Sequence, residues 1–171
     1  MLSLRKYFLL LLIAPLFACG FTPVYRSIDG SGGELITDLQ SISVDEIAFG
    51  RAGQILKTDL ERLFGDNQYA HKKYRLHIDL EKRKEGIAIE KNREVTRYNI
   101  IITAKYELIK NDGGKVVNKG NSQITGSYDA FESDYATYAA EEDTIIRIVR
   151  ELAKDIRFRL ASSFLDSNKK K

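Results

Sequence analysis

Val95-Thr-Arg-Tyr-Asn-Ile-Ile-Ile-Thr-Ala-Lys-Tyr-Glu-Leu-Ile-Lys110 runs directly into Asn111-Asp-Gly-Gly114. Tyr98, Ile100, Ile102, Ala104, Tyr106 and Leu108 take every second place. Asn99, Ile101, Thr103, Lys105, Glu107 and Ile109 take the places between. A period of two sends neighbouring side chains to opposite faces of a strand. The stretch is therefore a long strand with one core face and one mixed face. Asn-Asp-Gly-Gly is a hairpin turn signal. It predicts a partner strand over about 115–128, with Ile124 and Tyr128 pointing inward.

Upstream, Tyr74, Leu76, Ile78 and Leu80 alternate with Arg75, His77, Asp79 and Glu81. This is a second half-buried strand. Its continuation through Gly86 to Ile89 changes phase near the glycine, as a bulge would. Ile42 and Val44, then Ile47 and Phe49 in the opposite phase, give a first strand with a bulge or late turn. Between these strands the period changes. Ile55, Leu56, Leu60, Leu63 and Phe64 fall at helical spacing over 51–64, and Gly65 is a stop. The C-terminal third is a long helix with the stripe Ile145, Ile148, Val149, Leu152, Ile156, Leu160 and Phe164. Acids at 141–143 precede cations at 147–159, an order that suits the helix dipole. Asp134 and Thr137 are its candidate caps.

The element order is β-α-β-β-β-α. Three strands joined by tight turns are antiparallel, and two interleaved helices make an α+β domain. The expected fold is a two-layer sandwich: a four-stranded, mostly antiparallel sheet with two helices on one face. The other face carries Ile101 among polar residues and is either solvated or a partner surface.

The N-terminus has a different character. Arg5 and Lys6 precede an almost wholly apolar run, Tyr7 to Phe17. That run is shorter than the ~20 residues a spanning helix needs, so it reads as a signal h-region. It ends Leu16-Phe17-Ala18-Cys19-Gly20, which matches a bacterial lipobox, with Phe17 bulkier than usual. Cys19 is the only cysteine. It cannot form an internal disulfide, and the lipobox gives its thiol a role as the acceptor of a diacylglyceryl group. Two or three acyl chains at ~0.8 kcal/mol per buried CH₂ anchor a protein stably where one does not. Gly20 follows the cysteine where an Asp would favour inner-membrane retention, which points to the outer membrane. The organisation expected is a signal peptide over 1–18, a lipidated N-terminus and tether over 19–38, one α+β domain over 39–165, and a charged tail over 166–171.

Charge and motifs exclude several classes. The chain has 27 Lys and Arg against 24 Asp and Glu. Without Arg5 and Lys6, 25 cations face the same 24 acids, so no basic domain for nucleic acid is present. His71 and His77 are the only histidines and do not stand at zinc-site spacing. No P-loop, Gly-x-Ser-x-Gly or dinucleotide glycine pattern occurs. The expectation is a protein that is not an enzyme and takes no metal or cofactor beyond the lipid on Cys19. Local charge is uneven: between Lys72 and Arg97 nine Lys or Arg stand against five acids. Lys82, Arg83, Lys84, Lys91, Arg93 and Arg97 lie towards the far reach of the second-to-third strand hairpin. Cations there can meet phosphates, or only keep an extended hairpin soluble.

Several features together resemble one family. They are the start Cys19-Gly20-Phe21-Thr22-Pro23-Val24-Tyr25, the element order, the strand carrying Tyr98, and Tyr135-Ala-Thr-Tyr-Ala-Ala-Glu-Glu-Asp143 leading into the long helix. The chain resembles the LptE (RlpB) family of lipopolysaccharide-assembly lipoproteins in its alphaproteobacterial form. The resemblance implies a non-enzymatic protein held in the inner leaflet of the outer membrane. It implies a plug, one to one, in the large β-barrel LptD, an assistant in that barrel's assembly, and a binder of lipopolysaccharide. It places Lys91 on the family's basic position at the hairpin tip, with Arg93 beside it. A second basic position of the family, near the start of the last helix, is acidic here, Glu141; Lys84 or another residue would have to supply that contact. A different reading of the same lipoprotein is a periplasm-facing binder of a soluble ligand or peptidoglycan.

Lipidation requires the thiol. Cys19→Ala should abolish incorporation of labelled palmitate and cleavage by the lipoprotein route. Normal processing of that variant would refute the lipobox reading.

Overall fold

The computed structural model describes residues 31–65, 71–89 and 95–168. Residues from Gly33 onward form one compact unit, distinct from Met1–Gly32. Seven elements follow in order: α1 (Ser31–Gln40), β1 (Ile42–Val44), α2 (Gly50–Phe64), β2 (Tyr74–Ile89), β3 (Val95–Lys110), β4 (Val116–Asp129) and α3 (Asp134–Asn168). The strands make one sheet in the order β1-β2-β3-β4. β2 pairs antiparallel with β3, and β3 with β4, while β1 pairs parallel with β2. This is the α+β, mostly antiparallel sheet that the alternation predicts.

The inner face of β3 is the one expected. Ile100, Ile102, Ala104, Tyr106 and Leu108 are buried, and Leu76 and Ile78 of β2 join them. Burying a large aliphatic side chain is worth about 1.5–3 kcal/mol, so this face must be covered. α3 covers it with Ile145, Ile148, Val149, Leu152, Ile156 and Leu160, all at most 5% exposed. α2 adds Leu56, Leu60 and Phe64, and ends at Gly65, whose φ of 77° is the left-handed stop predicted for it.

Close approach of α3 to β4 depends on small residues. A Cβ at Gly126 would lie 2.8 Å from Thr144 Cγ2 and 3.0 Å from two carbons of Ile148. Ser122 faces the same helix and donates to Asp155 Oδ2 at 2.5 Å. Arg159 Nε donates to that oxygen at 2.6 Å. Burial would raise the Asp155 carboxyl pKa, but these two donors outweigh burial and hold it low.

Three features depart from the sequence reading. α1 (Ser31–Gln40) begins inside 19–38, the segment read as lipidated N-terminus and tether, and runs into the domain; Leu35 and Leu39, one turn apart, are buried in the core. β1 is short, and after Val44 the chain turns rather than extending to Phe49, with Ile47 still buried. Neither Asp134 nor Thr137 caps α3. Ser133 Oγ accepts from the Ala136 amide at 3.4 Å, and Thr137 Oγ1 instead accepts from the Phe131 amide at 2.8 Å, closing the β4–α3 loop on the first turn.

Two substitutions check this packing. Leu152→Ala should cost about 3 kcal/mol by opening a cavity. Gly126→Val should cost about 1–3 kcal/mol by pushing α3 off β4. Chemical denaturation measures both; a neutral Gly126→Val would mean that α3 does not approach β4 this closely.

Candidate functional site

Strand alternation carries the core face of β2 past Leu80 to Lys82 and Lys84. Two lysines on an apolar face need a counter-ion, and α3 supplies it. Glu141, in the second turn of α3, receives Lys84 Nζ at 2.7 Å and Lys82 Nζ at 3.4 Å. The Tyr128 hydroxyl donates to the same carboxylate at 2.8 Å. Lys84 Nζ also stands 4.3 Å from the ring centre of Tyr98. Tyr98 stacks on Tyr128 across the β3–β4 register pair, with centroids 5.5 Å apart and planes 23° apart.

This group closes the core at the hairpin end of the sheet. The Glu141 side chain is 19% exposed and each lysine 38%. Burial works against the charge of Glu141, yet the donors from Lys84 and Tyr128 hold its carboxyl below the ordinary range. Burial likewise opposes the charge on Lys84, and Glu141 with Tyr128 raises the ammonium above its usual value. Burial pushes the Tyr128 hydroxyl up. All three groups are held in the ionisation states that bind one another at neutral pH.

The neighbouring cations are paired too. Arg97 Nε donates to Asp129 Oδ1 at 2.6 Å, and Arg83 meets Glu85 at 2.9 Å. Among the described cations of the hairpin stem, neutralisation within the domain is the rule. Beyond the stem, Phe131, Tyr135 and Tyr138 are exposed at 54%, 81% and 63%, and Ile87 at 50%. This end of the domain therefore presents aromatic and apolar side chains beside cations that are paired within the domain.

Lys84 and Glu141, singled out from the sequence, are brought together by the fold; the Tyr98–Tyr128 stack and the role of Lys82 were not anticipated. The signal for Lys82 was present, because alternation from Leu76 puts it on the core face. Cys19, Lys91 and Arg93 lie outside the described residues. No helix among the described residues is long and apolar enough to cross a membrane. No group of three or more His, Cys, Asp or Glu stands close enough there to hold a metal ion.

The fold is shared with structures described as lipoproteins. A structure described as a lipoprotein from Caulobacter crescentus CB15 superposes with a TM-score of 0.66 at 24% identity, covering 78% of this chain and 97% of that one. Rare lipoprotein B from Shewanella oneidensis superposes with a TM-score of 0.60 at 13% identity, covering 74% and 98%. The uncharacterized protein RP188 of Rickettsia prowazekii (strain Madrid E) is 28% identical over 158 residues, 92% of this chain and 96% of that protein. The class is thus that of small α+β domains with a helix-covered, mostly antiparallel sheet. The family model for LptE, lipopolysaccharide-assembly, matches residues 39–160, and the chain belongs to that family.

The Glu141 group has a testable pH signature. Its folded pKa is lowered, so its contribution is present above the unfolded value of about 4.3 and is lost as pH falls through the folded value. Glu141→Gln should lower stability by about 1 kcal/mol at neutral pH, a figure reduced for solvent exposure of the lysines. The gap to the unmodified protein should be smaller in urea unfolding at acid pH than at neutral pH. An equal gap at both pH values would show that the charge of Glu141 contributes nothing.

Proposed function

We propose that the mature protein is anchored through lipid on Cys19 in the periplasmic leaflet of the outer membrane. There it occupies the lumen of an LptD-like β-barrel, assists its assembly, and binds lipopolysaccharide on its way to the cell surface. The observation that carries this reading is the outer face of the sheet, together with membership of the family. Thr103 hydrogen-bonds Gln123 at 3.3 Å, Ser127 hydrogen-bonds Asn99 at 2.6 Å, and Lys105 pairs with Glu81. His77 lies 3.4 Å from Asp45 and 3.5 Å from Asp79. Such a face is poor for an apolar partner and good for the polar wall of a wide barrel lumen, whose inward residues are polar.

The second element of the proposal is the hairpin. Its stem is rigid, pairing continuously from Tyr74 with Lys110 to Gly86 with Tyr98 before the shift near Ala88. It would carry Lys91 and Arg93 at its tip, where two cations fit the phosphates of an anionic lipid. Lys82 and Lys84, both engaged by Glu141, leave no second free cation there for the lipid. We assign the protein no enzymatic role.

Two outcomes check this function. Depleting the protein should lower surface-accessible lipopolysaccharide, measured by surface labelling of intact cells, and unchanged labelling would remove the transport role. Lys91→Glu with Arg93→Glu should weaken binding of purified lipopolysaccharide roughly tenfold or more, with no change in thermal unfolding, since hairpin tips bury little. Equal binding would mean that the tip charges only solubilise.

A further inference from the structure

The helical side of the domain carries a groove that the lipid-binding reading does not use. It runs between α2 and α3, holds about 590 Å³, and is lined by Asp59, Arg62, Leu63, Arg147, Arg150, Glu151 and Lys154. Through Asp59 and Arg150 it continues into a second hollow of about 330 Å³ that also borders Arg51, Gln54, Ile55 and Thr58. Five cations therefore face two acids along one cleft.

The kind of cation is informative. Six of the eight cations on α2 and α3 are arginines, against three of eight on β2, β3 and β4. Lysine on strands discourages edge-to-edge pairing. Arginine is less strongly hydrated, offers a planar fork of donors to a carboxylate, and is enriched at protein interfaces where lysine is depleted. Here Arg147 meets Asp143 at 3.2 Å and donates to Thr144 Oγ1 at 2.8 Å, and Lys154 meets Glu151 at 2.7 Å, whereas Arg150 is held loosely. The described residues give Arg150 one ion pair, a long 3.9 Å contact to Asp59 Oδ2, and its side chain is 59% exposed. Asp59, only 18% exposed, also receives Arg62 at 3.1 Å. One sunken carboxylate thus orients two guanidinium groups without satisfying them. Arg147, Glu151, Lys154 and Phe158 follow at spacings of four, three and four, on one stripe of α3. Phe158 is 51% exposed, an aromatic beside an arginine row. Aromatic and arginine side chains together are the usual anchors of a protein interface.

We propose that the α2–α3 groove is a protein-docking surface whose occupant is a carboxylate-rich segment of the partner. The occupant is a protein and not the membrane: an anionic lipid surface attracts lysine and arginine alike, and it gives no reason for forks set by a half-buried Asp59. The inference rests on the reading that the chain works within a protein complex, and it adds the face and the chemistry of contact.

The test is photo-cross-linking of the full, lipid-anchored chain in its own cells, from a photoreactive amino acid placed at Gln54 on the groove rim. The expected result is an adduct with one protein, mapped by mass spectrometry to a segment rich in Asp and Glu. Arg147→Gln with Arg150→Gln should lower the adduct about tenfold, as the loss of interfacial charge contacts does. Lys110→Gln with Lys115→Gln, two exposed cations removed beside the β3–β4 turn, should leave it unchanged. Thermal unfolding of each variant confirms the fold, and Arg150→Lys, which keeps the charge, should give an intermediate yield if the fork matters. No protein adduct, an adduct with lipid alone, or a protein adduct indifferent to the arginine substitutions overturns the proposal. An acidic partner segment that belongs to a protein other than a β-barrel would uphold the groove and overturn the barrel reading instead.

Discussion

The packing of α3 across the inner face of the sheet is the contact on which the rest of the domain depends. β2, β3 and β4 make a long, twisted surface with one apolar face, and α3 is the element long enough to cover it. Everything else adjusts to that contact. Gly126 and Ser122 are small where the helix comes closest. α2 and α1 complete the layer with Leu56, Leu60, Leu35 and Leu39. At the hairpin end, where β2 outruns the apolar stripe, Lys82 and Lys84 take over its inner face and Glu141 neutralises them. The ionic layer is thus the place where a helix-covered core gives way to an exposed hairpin.

That transition connects stability with function. A hairpin that projects beyond its core needs a stiff base, and the base here is a carboxylate gripped by two ammonium groups and a phenol over a stacked pair of tyrosines. The outer sheet face solves a different problem: it is mostly polar, and its polar side chains bond one another across the strands. The helical face, with arginines held but not saturated, is chemically distinct from both.

Much of this was legible in the chain because the sheet has a period of two and both long helices have clean apolar stripes. β3 ends where alternation and the Asn111–Gly114 turn say it should, and Gly65 stops α2. What escaped was non-local or compositionally disguised. α1 begins in the segment that reads as tether, with Gly32 and Gly33 in its first turn, and its two leucines acquire meaning only against the core. β1 is too short to be told from a loop, since its parallel pairing with β2 is what makes it a strand. The Glu141 group joins positions 57 and 59 residues apart, and strand alternation could name Lys82 and Lys84 as inward but not their partner. The Ser133 cap lost to Asp134 and Thr137 because all three residue types cap helices, and the β4–α3 loop decides among them.

The central claim is that this lipoprotein works inside a large outer-membrane barrel. Its most direct test is purification of the tagged protein from its own outer membrane in mild detergent, with mass spectrometry of the material that accompanies it. The account predicts one large β-barrel at near-equal stoichiometry, retained through size-exclusion chromatography. Native protein recovered from that membrane without a barrel, or with cell-wall fragments in its place, would contradict it.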